Sequence, residues 1–184
     1  MSTFKSIEPA EATGQTKQLF DALQRNLGMV PNLAKQLANS PAVLKAYLNW
    51  GATLSEGVLP AQLREQIAVA VASANGCDYC LSAHTVLGSL TGLKPEQLEA
   101  AQSGEASDAR SAAALRFAVK VVAERGHIKA DEIDNLRSAG LTDAEIVEIV
   151  AVVAVNIFTN YFNHIAGTEI DFPVVHATAS AATR

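Results

Sequence analysis

From Ile146 to Phe158 the chain is apolar on almost every side and rich in valine and isoleucine, so any fold must bury much of that segment. β-Branched residues at this density would suit a buried strand. The residues just before it decide otherwise. Thr142, followed three positions later by Glu145, is a capping box, in which each side chain satisfies a backbone N–H of the other residue. Leu141 and Ile146 stand where a hydrophobic staple closes a helix start. With that start and its length, the segment is predicted to be a buried helix. Its longest unbroken apolar run, Ile149 to Val155, is far short of the ~20 residues of a membrane span.

The rest of the chain also carries helical periodicity. Leu19, Leu23 and Leu27 repeat at i+4 beside Phe20, with Gly28 as a stop. Ser40-Pro41 reads as an N-cap followed by proline at the first helical position, and Leu44, Tyr47, Leu48 and Gly51 continue an inward stripe. Leu63, Ile67, Ala70, Val71 and Ala74 form the next stripe, ended by Asn75-Gly76. A helix then runs from about Cys77 to Thr91, with Gly92 as its stop, and Ala114, Phe117, Ala118, Val121 and Val122 fit a later helical face. Segments beginning at Gly57, Gly92 and Gly140 echo one another, but their spacing is irregular, which indicates shared helix-start chemistry and not a solenoid. Gln102 to Arg110 is a polar loop that could divide two helical halves. The expected fold is all-α, one domain over residues 1–170, with 171–184 as a tail whose small, polar end is frayed or disordered.

At 184 residues and 49% hydrophobic content, the chain can bury an ordinary core without help from disulfides or metal. Fourteen basic against nineteen acidic side chains, with no basic run, argue against nucleic acid as a partner. The N-terminus has no signal-peptide segment, so a soluble cytoplasmic protein, without membrane contact, is expected. In a reducing compartment, paired cysteines are more often reactive or metal-binding than structural.

Those cysteines are Cys77 and Cys80, the only two in the chain, with His84 four residues further on. On a helix these offsets put two sulfurs and an imidazole on one face. Two thiols so placed can close and reopen a small disulfide, while the imidazole takes a thiol proton. Gly76 lets a new helix begin near Cys77, which sets both sulfurs in its first turn, at the positive end of the macrodipole. Blander readings stand beside this one. The cysteines could be buried apolar fillers. Cys77, Cys80 and His84, with His164 as a fourth ligand, could hold zinc, although no second Cys-x-x-Cys exists. Glu65, by position alone, is a solvated glutamate near a helix start. Asn160, Asn163 and His164 end the most apolar helix, where polar groups are costly unless bonded. They could make buried structural bonds, line an active site or meet another subunit. Tyr47 and Trp50 read as core or interface aromatics, and His127 and His176 have no supporting neighbours.

Glu65, then Cys77 twelve residues on, then Cys80 and His84, resembles the pattern of the AhpD-like alkylhydroperoxidases, within the carboxymuconolactone decarboxylase superfamily, and most nearly its peroxidase-related branch. The resemblance covers about residues 40 to 170 and implies an AhpD-like helical bundle with its redox core there. It implies a thiol-dependent hydroperoxide reductase that cycles through a Cys77–Cys80 disulfide. Cys80 would attack, Cys77 would resolve, His84 would accept the proton and Glu65 would orient the imidazole. Tyr79, Asn160, Asn163 and His164 would be pocket residues. The implied partners are a hydroperoxide, an external dithiol or disulfide reductase, and further copies of the chain in a trimer or hexamer; no metal or cofactor is expected. One departure stands out: the well-studied peroxidases carry a second histidine between the cysteines, where this chain has Tyr79. A phenol is a hydrogen-bond donor but a poor base at neutral pH. The superfamily's decarboxylases do not depend on a cysteine pair, which argues against that activity. The alternatives are a redox sensor or disulfide-exchange protein using the same sulfurs, and a small zinc-binding interaction protein.

Overall fold

The computed structural model describes residues 2–177, and among these it has nine α-helices and no strand. They are α1 (Gly14–Leu27), α2 (Asn32–Leu37), α3 (Pro41–Ser55), α4 (Ala61–Ala74), α5 (Asp78–Leu90), α6 (Pro95–Gln102), α7 (Ala109–Ala123), α8 (Ala130–Ser138) and α9 (Asp143–Ala166). The fold is all-α, as the periodicity predicts. The tail end expected to be disordered, from residue 178 on, lies outside the described residues.

The apolar segment is α9, and its start is the predicted one. Thr142 N donates to Glu145 Oε2 at 2.8 Å while Glu145 N donates to Thr142 Oγ1 at 3.3 Å. By length and composition α9 could cross a membrane, yet half of its most apolar window is buried inside the fold. What it leaves outside is apolar too: Val147, Val150, Phe158, Tyr161 and Ile165 are exposed, next to Val43 and Trp50 on the neighbouring α3.

Helix α4 is the centre of the bundle. It packs against α5, α6, α7 and α9, so every residue from Gln66 to Ser73 is buried. Burial on all sides explains its unbroken Ile-Ala-Val-Ala-Val-Ala run, and each fully buried isoleucine or valine there is worth ~1.5–3 kcal/mol. Because α4 touches helices on both sides of the polar loop, residues 103–108 do not part the bundle into halves.

A tight turn joins α4 to α5. Gly76 adopts a left-handed φ of 64°, Gly76 N donates to Ser73 O and Cys77 N donates to Ala72 O, the paired bonds of a Schellman stop. A side chain at position 76 would be strained in that conformation. Gly92 and Gly140 close their helices with the same pair of bonds. Gly57 does something different: a Cβ there would meet the Glu148 carboxylate, which accepts from Val58 N and Leu59 N at 2.8 and 2.9 Å.

After α9 the chain folds back over the start of α5. Asp171 Oδ2 accepts from Asn32 N at 2.7 Å, and Phe172 sets its ring edge-on to Tyr79 at 5.8 Å between centroids. Val175 N donates to Ser82 Oγ at 2.9 Å, His176 Nδ1 pairs with Asp78 Oδ2 at 2.7 Å, and Ala177 N donates to Asp78 Oδ1 at 2.9 Å. Residues 171–177 are therefore a strap fastened to the redox helix.

Candidate active site

The Schellman turn makes Cys77 the N-cap of α5, with its sulfur accepting from Cys80 N at 3.5 Å. Cys80 follows in the first turn, where the unpaired N–H groups of the helix favour negative charge. Both cysteines are free thiols and buried. Their surroundings differ. Cys80 lines an apolar cavity of about 320 Å³, bounded by α1, α3, α5 and the strap, whereas Cys77 lies behind it and does not reach the wall.

Helix α9 supplies the polar groups around Cys80. Asn163 Nδ2 donates to its sulfur at 3.1 Å, and Thr159 Oγ1 lies 3.8 Å away. Asn160 is fully buried, with Oδ1 accepting from Asn75 Nδ2 at 2.8 Å and Nδ2 kept beside the sulfur with no other partner. Asn156, one turn earlier, anchors its amide on Val152 O at 2.9 Å and polarises His84. Asn156, Thr159, Asn160 and Asn163 form one buried polar ladder at three- and four-residue spacing.

His84 and Glu65 meet as expected, Nδ1 to Oε2 at 2.8 Å, both partly buried. His84 lines the apolar cavity and also a second one of about 400 Å³; Glu65 lines only the second. The imidazole thus stands between the thiol side and the carboxylate side.

The electrostatics separate the two sulfurs. The Cys77 S–H donates to the Cys80 sulfur, and the charge of His84 and the amides of Asn160 and Asn163 add to that bond. Together they outweigh burial and lower the Cys80 pKa to about 6. The same shared hydrogen bond, with burial and the Cys80 charge, pushes the Cys77 thiol far up. Burial alone would lower His84, but the Glu65 carboxylate and the Cys80 charge reverse this and leave its pKa above the ordinary value. These influences favour a Cys80 thiolate with Cys77 keeping its proton, and they favour the charged form of His84 beside it. Alkylation by iodoacetamide should therefore label Cys80 alone, its rate falling only as pH drops through about 6. A midpoint near the ~8.5 of an ordinary thiol, read by mass spectrometry, would contradict this.

Of the other expected pocket residues, Tyr79 lines the apolar cavity, while Asn160 and Asn163 stand behind the sulfur. His164 is a correction: it is exposed and lines neither cavity, because one residue beyond Asn163 is a turn of ~100° about the helix axis. No cluster of three or more His, Cys, Asp or Glu suited to a metal exists among the described residues. Sequence reasoning missed Asn156 and Thr159, although their spacing from Asn160 and Asn163 was the available signal. It also missed Asp171 and the pairing of His176 with Asp78, for which the chain carries no local sign.

The family model of the carboxymuconolactone decarboxylase family matches residues 41–124, a span holding Glu65, Cys77, Cys80 and His84. The fold is similar to an uncharacterized peroxidase-related protein with an AhpD core from Ralstonia eutropha JMP134: TM-score 0.85, 27% identity, 92% of each chain covered. It is similar as well to a peroxidase-related protein from Silicibacter sp. TM1040, with TM-score 0.78 and 29% identity over 92% of this chain and 94% of that one. The debrominase Bmp8, in complex with 2,3,4-tribromopyrrole, shares the fold at TM-score 0.79 and 24% identity, over 93% of this chain and 94% of its own. A search of the curated proteins finds no match.

Proposed function

The chain belongs to the carboxymuconolactone decarboxylase superfamily, on its AhpD-like side, and from that premise we propose that it is a thiol-dependent hydroperoxide reductase. The observation that carries the proposal is the asymmetry of the two sulfurs: a lowered, cavity-facing Cys80 backed by a protonated Cys77. The Cys80 thiolate attacks the terminal oxygen of the hydroperoxide, the O–O bond breaks, and Cys80 becomes a sulfenic acid as an alcohol leaves. His84, held by Glu65, stores the proton taken from Cys80 and supplies the one the alcohol needs. Cys77 then attacks the sulfenic sulfur, water leaves, and the Cys77–Cys80 disulfide closes. An external dithiol reopens it by thiol–disulfide exchange, so two electrons pass from dithiol to peroxide in each cycle. This cycle needs no metal, flavin or nicotinamide in the chain itself.

The apolar surface shared by α3 and α9 fits burial against further copies of the chain, and a cytoplasmic dithiol pool fits the reductive half of the cycle. The zinc reading loses its fourth ligand with His164. A redox sensor would use the same sulfurs but react once per reduction. The test is consumption of cumene hydroperoxide with dihydrolipoamide as reductant, expected to run for many turnovers per protein. One turnover or none, with both thiols still titratable, would move the reading to sensing or disulfide exchange. 2,3,4-Tribromopyrrole belongs in the same assay: debromination in place of peroxide loss would make the thiolate chemistry dehalogenating.

A further inference from the structure

Tyr79 occupies the place between the cysteines, and a phenol does not replace the base that a histidine there would be. It can serve the opposite end of the reaction. The Tyr79 oxygen accepts from Leu33 N at 3.1 Å, and the edge-on contact with Phe172 fixes the ring, so the hydroxyl cannot swing away. Tyr79, Cys80, Leu33 and Asp171 line the same apolar cavity. The Leu33 bond uses a lone pair of the phenol and leaves its proton to be given. Burial first, and then the Asp171 carboxylate toward which the phenol O–H is turned, raise the phenol's pKa and keep that proton on oxygen. Asp171 Oδ1 is buried without a hydrogen-bond partner, while Oδ2 is fixed by Asn32 N. The wall beside the thiolate thus sets one donor against one acceptor, in a cavity whose other polar lining is His84 and Thr159. A hydroperoxide group, which accepts through either oxygen and donates through its terminal O–H, can enter between them and bond both.

We infer that Tyr79 is a catalytic hydrogen-bond donor to the oxygen that leaves when Cys80 attacks a hydroperoxide, with Leu33 N and the strap as its positioning elements. The inference rests on the hydroperoxide reading above. In the step, the S–O bond forms, the O–O bond breaks, and its electron pair goes to the alkoxide oxygen, whose growing charge the Tyr79 O–H meets. The proton that completes the alcohol is the one His84 took from Cys80. Thiolate, hydroperoxide and that proton give sulfenic acid and alcohol. The strap thereby becomes a part of the site, since it holds both Phe172 and Asp171.

The discriminating variable is how much help the leaving group needs. An alkoxide is a poor leaving group, whereas the carboxylate of a peroxycarboxylic acid and the iodide of iodoacetamide leave with little assistance. Tyr79→Phe keeps the ring and its contact with Phe172. Single-turnover oxidation of Cys80 by cumene hydroperoxide is expected to slow by about 100-fold, the scale for losing one donor to a developing oxyanion. Oxidation by peracetic acid and alkylation by iodoacetamide should stay within about twofold of the parent protein, which also certifies the fold around Cys80. Equal slowing with all three reagents, or no slowing with any, overturns the inference while the hydroperoxide reading stands. A parent protein whose Cys80 is alkylated readily but never oxidised by hydroperoxide overturns that reading, and this inference with it.

Discussion

Cys80→Ser is expected to abolish hydroperoxide turnover, whereas Cys77→Ser should leave one oxidation per molecule. The two substitutions are equally small and their sites are three residues apart, so the contrast comes from the environments alone. Only Cys80 faces the cavity, accepts from Asn163 and holds its negative charge at neutral pH. A serine hydroxyl there stays protonated and cannot attack the O–O bond. At position 77, serine still offers an O–H toward Cys80, so the thiolate survives and reacts once. Without a resolving thiol the product stops at the sulfenic acid, which dimedone traps as a mass-tagged adduct. Peroxide consumed per mole of protein reads the outcome. Multiple turnovers in Cys77→Ser would end the two-sulfur cycle, and turnover in Cys80→Ser would end the assignment of the nucleophile.

The second large effect belongs to His84. Its positive charge lowers Cys80, so His84→Ala returns that thiol toward its ordinary range and removes the proton store. At pH 7 peroxide oxidation should fall by about 100-fold, within the range for loss of a general acid–base group. The sign fixes a control. Raising the pH re-forms the thiolate by mass action, so much of the defect should vanish near pH 9. Glu65→Gln should act in the same direction but less, because an amide can still accept from Nδ1 while no longer holding the proton on the ring. A defect equal at both pH values would show that His84 acts through the proton it gives the alcohol, or through the fold, and not through the charge of Cys80. Circular dichroism of the variants checks the helices directly.

How far the chain announces all this depends on the range of the interactions. The start of α9 was legible because a capping box is local, and so were the stops at Gly76 and Gly92. The Cys77, Cys80 and His84 register is local as well, set by one helix. Helices α2 and α8 were not read, being too short for periodicity to stand out. The likeness of Gly57 to Gly92 and Gly140 did mark three helix starts, those of α4, α6 and α9, but neighbouring letters do not reveal that a glutamate from α9 seals the first of these turns. The polar ladder was half read. Asn160 and Asn163 were conspicuous as polar residues near the end of an apolar helix, but Asn156 and Thr159 share their face and His164 does not. The strap escaped altogether. Its pairing of Asp171 with Asn32 spans 139 positions, and that of His176 with Asp78 spans 98.

That separation gives the molecule a clock. As the chain leaves the ribosome, the two cysteines and His84 emerge with α5, well ahead of the amide that α9 sets against the sulfur: Asn163 and Cys80 stand 83 positions apart. Until α9 has docked, neither the donor amides nor the cover of the strap is in place, and Cys80 has only the partners its own helix supplies, Cys77 and His84. The complete polar setting of Cys80 therefore arrives only with completion of the bundle, and its full reactivity is expected only then.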